Sequence, residues 1–289
     1  MRISIVTACY NAEKTIGDAM ASVLRQKSQQ NVRMFECSNV RGVGELEIEY
    51  IVIDGGSTDG TVALIRDFAE RVQTFEHSDI RTFSFRWVSE KDRGMYDAIN
   101  KGMKMATGDV IGILNADDVL AEDDTLAKIA AAFADSEIDG TYADIRFVHS
   151  TTTTSDYNLI RGLPTVRYCS GKRFRPWMFR FGTQTAHPST FFRGECFAKW
   201  GDYSLDYGMY GDFELLCRFI WKNRARMKYL PMCTTVMRMG GASTNGWRTT
   251  LKINQSDLRA LKANGCWSCL LLLYSRYLLK IWGFIFRGQ

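Results

Sequence analysis

Four short apolar runs, each closed by a cluster of small polar or acidic residues, constrain this chain more than any other feature. They cover residues 3–7, ending in TACYN; 50–53, ending in DGGSTDGT; 85–88, leading into SEKDRG; and 110–114, ending in Asn115, Ala116, Asp117 and Asp118. Short apolar runs bounded by polar residues read as strands buried on both faces, the kind found inside parallel sheets. Between them run helical stripes: Ile16, Met20, Val23 and Leu24; then Val62, Ile65 and Phe68/Ala69; then Met95, Ile99, Gly102/Met103 and Ala106. Strand and helix alternating at these lengths predict a mostly parallel central sheet with helices on both faces. Right-handed crossovers put the strand ends along one edge, the edge where open α/β folds bind ligands. Residues 7–11, 54–61, Asp92 and 115–118 are therefore expected to line one crevice.

At 289 residues, with 46% hydrophobic and 24% charged residues, the chain is an ordinary globular protein large enough for a full core. The net charge of +5 is too mild to argue for nucleic acid, and its distribution matters more. Acidic residues concentrate around the middle, and the last third is rich in Arg and Lys. Residues 26–47 lose all periodicity and read as a surface insertion. Eight scattered cysteines, in a chain whose Met1-Arg2 leads straight into a strand-like run, read as reduced cytosolic thiols. Cys266 and Cys269 have zinc-like spacing but lack a second pair or a histidine couple.

From about residue 140 the alternation gives way to a mixed pattern. Residues 142–148 read as a strand, a threonine run follows at 151–154, and residues 161–181 are basic and aromatic. Residues 208–224 read as a helix with Phe213, Leu216/Cys217 and Ile220 on one face. Beyond residue 250 an amphipathic helical segment closes the chain. Its uncharged run 265–275 is far shorter than the roughly 20 apolar residues of a membrane span. Arg276, Lys280 and Arg287 share one helical face against Leu, Trp, Tyr and Phe, the profile of a helix lying in a membrane interface. Packing on the domain, or a dimer contact, is the structural alternative. The division is then one domain over 1–250, with a donor half (1–125) and an acceptor half (126–250), and a helical segment over 251–289.

Two features carry chemistry. Asp117 and Asp118, adjacent carboxylates at the end of a buried strand, are costly there unless a positive group joins them. A Mg²⁺-like cation bearing phosphate fits, since it takes one or two carboxylates and completes its shell with water and substrate oxygens. A solvated loop ahead of a helix capped by Glu122, Asp123 and Asp124 is the structural alternative. DGGSTDGT joins a carboxylate to glycines that allow close backbone approach and then opens a helix suited to a phosphate or polar ring. It also suits a plain βα turn with Ser57, Thr58 or Asp59 as cap. Neither GxGxxG nor GxxxxGK[ST] occurs, so there is no Rossmann fingerprint and no P-loop.

Taken in order, TACYN, VIDGGSTDGT, SEKDRGMYDAINKG, ATGD and ILNADD resemble glycosyltransferase family 2, closest to the branch of bacterial polysaccharide and lipid-linked oligosaccharide assembly. The match covers residues 3 to about 125 and resumes more loosely over AHPSTFF, YGDFELLCRF and MRMGGAST. The resemblance implies a GT-A-type single α/β domain that uses a divalent metal, Mn²⁺ or Mg²⁺, and a UDP- or GDP-sugar donor. It implies that Thr7, Ala8 and Tyr10 border the base, that Asp54 and Asp92 hold base or ribose, and that Asn115 and Asp117 sit at the donor, Asp117 near ribose and metal. Asp118 would be the direct metal ligand, and Asp212 falls where the family carries its general base. Two departures stand out. Gly55 replaces the second Asp that many members carry, and no QxxRW follows the base, where Arg218 and MGGAST stand instead.

The chemistry agrees with the residues. Sugar transfer needs the departing diphosphate neutralised and a carboxylate to take the proton of the attacking hydroxyl. Asp212 is the candidate base, with Glu214 as the alternative. His187 is a structural histidine or a substrate or metal contact. Arg173, Arg175 and Arg180 meet a phosphate or are solvated charges. The expected protein is an inverting, metal-dependent glycosyltransferase making cell-surface polysaccharide. It would work at the inner face of the cytoplasmic membrane on a glycan or lipid-linked acceptor. The alternatives are a catalytically silent GT-A scaffold at the membrane and a sugar-nucleotide pyrophosphorylase. The second lacks its Gly-rich basic loop after the first strand.

Overall fold

The computed structural model describes residues 1–27, 46–74, 83–149, 157–240 and 246–285. Most of the expected insertion, the threonine run, residues 241–244 and Arg287 lie outside them. The first half alternates as its periodicity requires: β1 (Arg2–Cys9), α1 (Ile16–Leu24), β2 (Glu47–Asp54), α2 (Thr61–Thr74), β3 (Phe83–Ser89), α3 (Met95–Met105) and β4 (Val110–Ile113). Then come β5 (Val119–Leu120), α4 (Thr125–Ala132), β6 (Gly140–Val148), α5 (Tyr157–Gly162) and β7 (Thr165–Cys169). After a 3-10 helix at Pro176–Phe181 and another at His187–Ser189 follow β8 (Phe191–Arg193), α6 (Gly194–Trp200) and α7 (Gly211–Leu216), which runs on as a π-helix, Cys217–Lys222. β9 (Met227–Arg238), α8 (Gly246–Ala263) and α9 (Leu270–Ile285) complete the described chain.

One sheet holds all the described strands in the order β3-β2-β1-β4-β8-β6-β9-β5, with β7 added beside β6. β3, β2, β1 and β4 are parallel, β8 turns antiparallel between β4 and β6, and β9 runs parallel to β6. The expected mostly parallel sheet is thus the contribution of the first half of the chain, and the second half makes it mixed.

Side-chain alternation along β2 splits the core between the two faces, as the two-residue period of a strand dictates. Ile48, Tyr50 and Val52 pack with Ile16, Met20 and Val23 of α1 and Ile65 and Phe68 of α2. Ile51 and Ile53 face the opposite layer, with Ile99 and Met103 of α3 and Phe213 and Leu216 of α7. Burying each such aliphatic side chain contributes about 1.5–3 kcal/mol. Ala260 and Leu261 of α8, Cys266 of the connection and Leu273 of α9 enter this second layer, so α8 and the start of α9 pack against the same body.

Glu49 is the polar exception inside β2. Its carboxylate takes hydrogen bonds from Ser4 (2.5 Å) and from the backbone and hydroxyl of Thr107 (2.7 and 2.9 Å), and it pairs with Arg86. Burial opposes its charge, but these partners outweigh it and hold its pKa below the usual glutamate value.

Candidate active site

The register sets the crevice. Cys9 of β1 lies beside Asp54 of β2, which lies beside Ser89 of β3, so three strand ends share one edge. Asp54 is fully buried. It accepts from the amides of Gly56 and Ser57 (3.1 and 3.0 Å), from Ser89 Oγ (2.7 Å) and from the Ser57 hydroxyl. In this state it shapes the DGGS turn. Asn11, in left-handed conformation at φ 49°, accepts from the Thr58 amide at 2.9 Å and ties the first strand's loop to that turn. Gly55 faces Asp92, and a Cβ there would overlap the Asp92 carboxylate. The departure from the family pattern therefore has a steric cause: Asp92 occupies the volume a side chain at 55 would need. Of the expected base-bordering residues, Tyr10 is exposed and Ala8 is half-buried. Thr7 is fully buried, and its hydroxyl accepts from Tyr50 at 3.2 Å, so its side chain does not open to the crevice.

Beyond β4, Asp118 is 1% exposed, and its Oδ1 has no hydrogen-bond partner among the described residues. The other oxygen accepts from Asn115 Nδ2 at 2.7 Å. Asn115, expected at the donor, orients Asp118 through this bond. Burial pushes both aspartates above the usual range, Asp118 further because Asp117 is next to it. An orphaned carboxylate oxygen in a buried pair is the arrangement a cation would satisfy, so the residues fit the expected divalent metal. Among the described residues no three His, Cys, Asp or Glu gather as a metal group. The shell would then be completed by diphosphate oxygens and water, as Mg²⁺ prefers. Arg238, at the end of β9, braces this loop. It donates to the Asp117 carbonyl at 2.7 Å and pairs with buried Asp18 of α1.

Asp212 stands at the start of α7, half-buried. Gln184 Nε2 donates to its Oδ2 at 2.9 Å, and its backbone amide donates to Tyr96 Oη at 3.0 Å. Tyr96 opens α3 beyond the β3 edge, so this contact brings Asp212 over the same edge as Asp54 and Asp92. Tyr96 stacks on Tyr203, centroids 5.2 Å apart. Asn100 grips the Tyr203 backbone from both sides (2.8 and 3.0 Å). His187 shares a 2.6 Å hydrogen bond with Tyr203 Oη. Burial keeps its imidazole below the usual pKa, against the pull of the Asp212 charge. His187 thus belongs to the scaffold around Asp212, and among the described residues no metal group includes it.

Three expected candidates are engaged elsewhere. Glu214 is buried, pairs with Arg218 at 3.0 Å and accepts from Asn264 at 3.1 Å. Arg218 also donates to the carbonyls of Gly201 (2.9 Å), Asp202 (2.7 Å) and Trp200. Together they clamp α7 to the preceding loop, and Asp212 is the less buried of the two carboxylates. Arg180 lies over the Trp221 ring at 5.5 Å, while Arg173 and Arg175 are exposed. The Cys266/Cys269 pair joins no metal group among the described residues. A cavity of about 430 Å³ lies at the amino-terminal end of β4, against Thr107, Gly108 and Gly194 and reaching Gly201 and Asp202 of the clamped loop, at the end of the strand remote from Asp118. Gln184, Tyr96, Tyr203 and Arg238 were not named as site residues, although Tyr96 lies within SEKDRGMYDAINKG and Arg238 within MRMGGAST.

Residues 4–198 match the family model described as "Glycosyl transferase family 2". The chain belongs to that family. It is 30% identical over 175 residues to a PGL/p-HBAD biosynthesis glycosyltransferase of Mycobacterium tuberculosis, 60% of this chain and 58% of that protein. Among solved structures it is similar to a mannosyltransferase, PcManGT from Pyrobaculum calidifontis in complex with GDP-Man and Mn²⁺. The TM-score is 0.57 at 19% identity, covering 91% of this chain and 63% of that one. It is similar also to S. aureus TarS 1-349 in complex with UDP-GlcNAc, with TM-score 0.56 at 16% identity, covering 91% and 66%. The chain spans about three fifths of the length of the curated relative it matches. The shared fold is that of GT-A glycosyltransferases, one mixed α/β domain.

Proposed function

We propose that the protein is an inverting, metal-dependent glycosyltransferase. It moves a sugar from a UDP- or GDP-sugar to a hydroxyl of a glycan or lipid-linked acceptor in cell-surface polysaccharide synthesis. The observation that carries this reading is the buried, unpartnered Oδ1 of Asp118 beside Asp117, on the edge that also holds Asp92 and Asp212. Relatives whose names include GDP-Man with Mn²⁺ and UDP-GlcNAc support a nucleotide-sugar donor. The mycobacterial relative supports a glycoconjugate product.

In this mechanism Asp92 and Tyr10 border the nucleoside, and Asp54 keeps the DGGS turn in shape beneath it. Asp118, steadied by Asn115, and Asp117 would hold the divalent cation, whose charge neutralises the departing diphosphate. Asp212 takes the proton of the acceptor hydroxyl as that oxygen bonds to the anomeric carbon and the diphosphate oxygen leaves. One displacement from the opposite face inverts the configuration. Gln184 fixes one Asp212 oxygen so that the other meets the acceptor.

The test is a thermal-shift screen of UDP- and GDP-sugars with and without Mn²⁺, followed by a transfer assay. Asp118→Ala is expected to abolish transfer and the Mn²⁺-dependent part of donor stabilisation while the protein stays folded; unchanged turnover would sink the proposal. Asp212→Asn is expected to lower turnover by at least about 10²-fold, in line with loss of a general base, with donor affinity by calorimetry unchanged.

A further inference from the structure

Two stretches of the sequence, 157–194 and 258–289, contain no Asp or Glu. The fold joins them. Ser268 Oγ donates to the Arg180 carbonyl at 2.6 Å. Arg276 of α9 donates to the Gly182 carbonyl and pairs with buried Asp257 of α8 at 3.0 Å. Gly182, at φ +65°, turns the chain beneath α9 where a Cβ would overlap the Arg276 guanidinium. Leu273 seals the seam and is fully buried. Arg276 therefore points inward, contrary to the helix face expected from spacing, and the Lys280 and Arg287 side chains lie outside those described.

On the outer side of this seam stand large apolar side chains in water. Trp267 is 67% exposed, Leu271 81% and Trp177 55%. Trp177 lies one 3-10 turn before Arg180, whose carbonyl holds Ser268 next to Trp267. Lys172, Arg173 and Arg175, all exposed, precede Trp177 on the same strap. Exposed tryptophan and leucine grouped with cations mark a surface that something covers. A second copy is a poor occupant, because a two-fold contact sets the same patch against itself and brings cation against cation. An anionic bilayer satisfies both components: tryptophan favours the headgroup level, and each basic side chain is attracted to acidic lipid. Among the described residues no helix is long and apolar enough to cross a membrane.

We infer that the strap carrying Lys172, Arg173, Arg175 and Trp177, together with Trp267 and Leu271 at the start of α9, is a docking surface for anionic lipid membranes. It rests on the lipid-linked acceptor reading and deepens it. The strap runs through Gly182 into Gln184, the residue that holds Asp212, so docking keeps the proposed base close to an acceptor presented at the bilayer.

The experiment is co-sedimentation with vesicles of phosphatidylcholine alone and of equimolar phosphatidylcholine and phosphatidylglycerol, scored without turnover. The wild type is expected to pellet with the anionic vesicles and to be released by high salt. Trp267→Ser with Leu271→Ser, and separately Arg173→Ser with Arg175→Ser, should each weaken partitioning by about tenfold or more. Donor binding by calorimetry should stay unchanged in both, which shows them folded. Asp212→Asn should bind vesicles like the wild type, so failure of the catalytic reading and failure of this one remain distinct. Absence of wild-type binding, or equal binding by the variants, overturns the inference. So does a dimer in light scattering that the Trp267→Ser, Leu271→Ser protein dissolves, since the patch would then be a protein interface.

Discussion

At the scale of single residues, the contact between Gly55 and Asp92 illustrates how a missing carboxylate is replaced. The chain lacks an acid at 55, and the volume beside it is filled by the carboxylate of Asp92, which also accepts from the Gly94 amide at 2.8 Å. Gly55→Ala is expected to push Asp92 aside and weaken nucleotide-sugar binding several-fold, with calorimetry as the readout and little change in melting temperature. Glu49 offers a pH test. Its folded pKa lies below the unfolded value, so its contribution is present above the ordinary glutamate range and lost as pH falls through the folded pKa. Glu49→Gln should therefore melt below the wild type at neutral pH, and the gap should close in acid. The pairing of Glu214 with Arg218 shows the opposite lesson. Two carboxylates two positions apart on one helix look alike in sequence, and only their partners separate them.

Among elements, α7 and the strap before β8 act as a unit. α7 is tied to α3 through Tyr96 and to the strap through Gln184, and it passes directly into a π-helix, an irregularity common near functional sites. The strap is anchored to α9 by Gly182. Gly182→Ala must adopt a left-handed backbone, at about 1–2 kcal/mol, and displace Arg276 as well. Chemical denaturation should show a loss larger than that backbone figure, and hydrogen exchange should rise first in α9.

Across the whole molecule, the Asp18–Arg238 pair joins helices and strands 220 residues apart and passes the support on to Asp117. Arg238→Met takes the cation from a buried carboxylate, a change that costs roughly 3–5 kcal/mol. Urea denaturation should show that loss, with part of it restored in the Asp18→Asn, Arg238→Met double variant. Mn²⁺ affinity should fall in the single variant because the Asp117–Asp118 loop loses its brace.

The alternating first half of the chain was legible from its residues alone. A buried parallel strand shows a continuous apolar run, its helix shows a 3.6-residue stripe, and crossover handedness fixes the edge, so the alignment of Asp54, Asp92 and Asp118 was legible before any coordinates. The family motifs lie in that same half for the same reason: each is a local strand-to-helix turn. The tertiary structure alone decided the rest. Arg238, Gln184 and Tyr96 act through partners far away in the chain, and no spacing rule reaches them. Which of Asp212 and Glu214 is ion-paired, what Asn115 holds, and which way Arg276 points all depend on which neighbour satisfies each buried polar group. Three-dimensional packing settles such pairings, and local periodicity carries no trace of them.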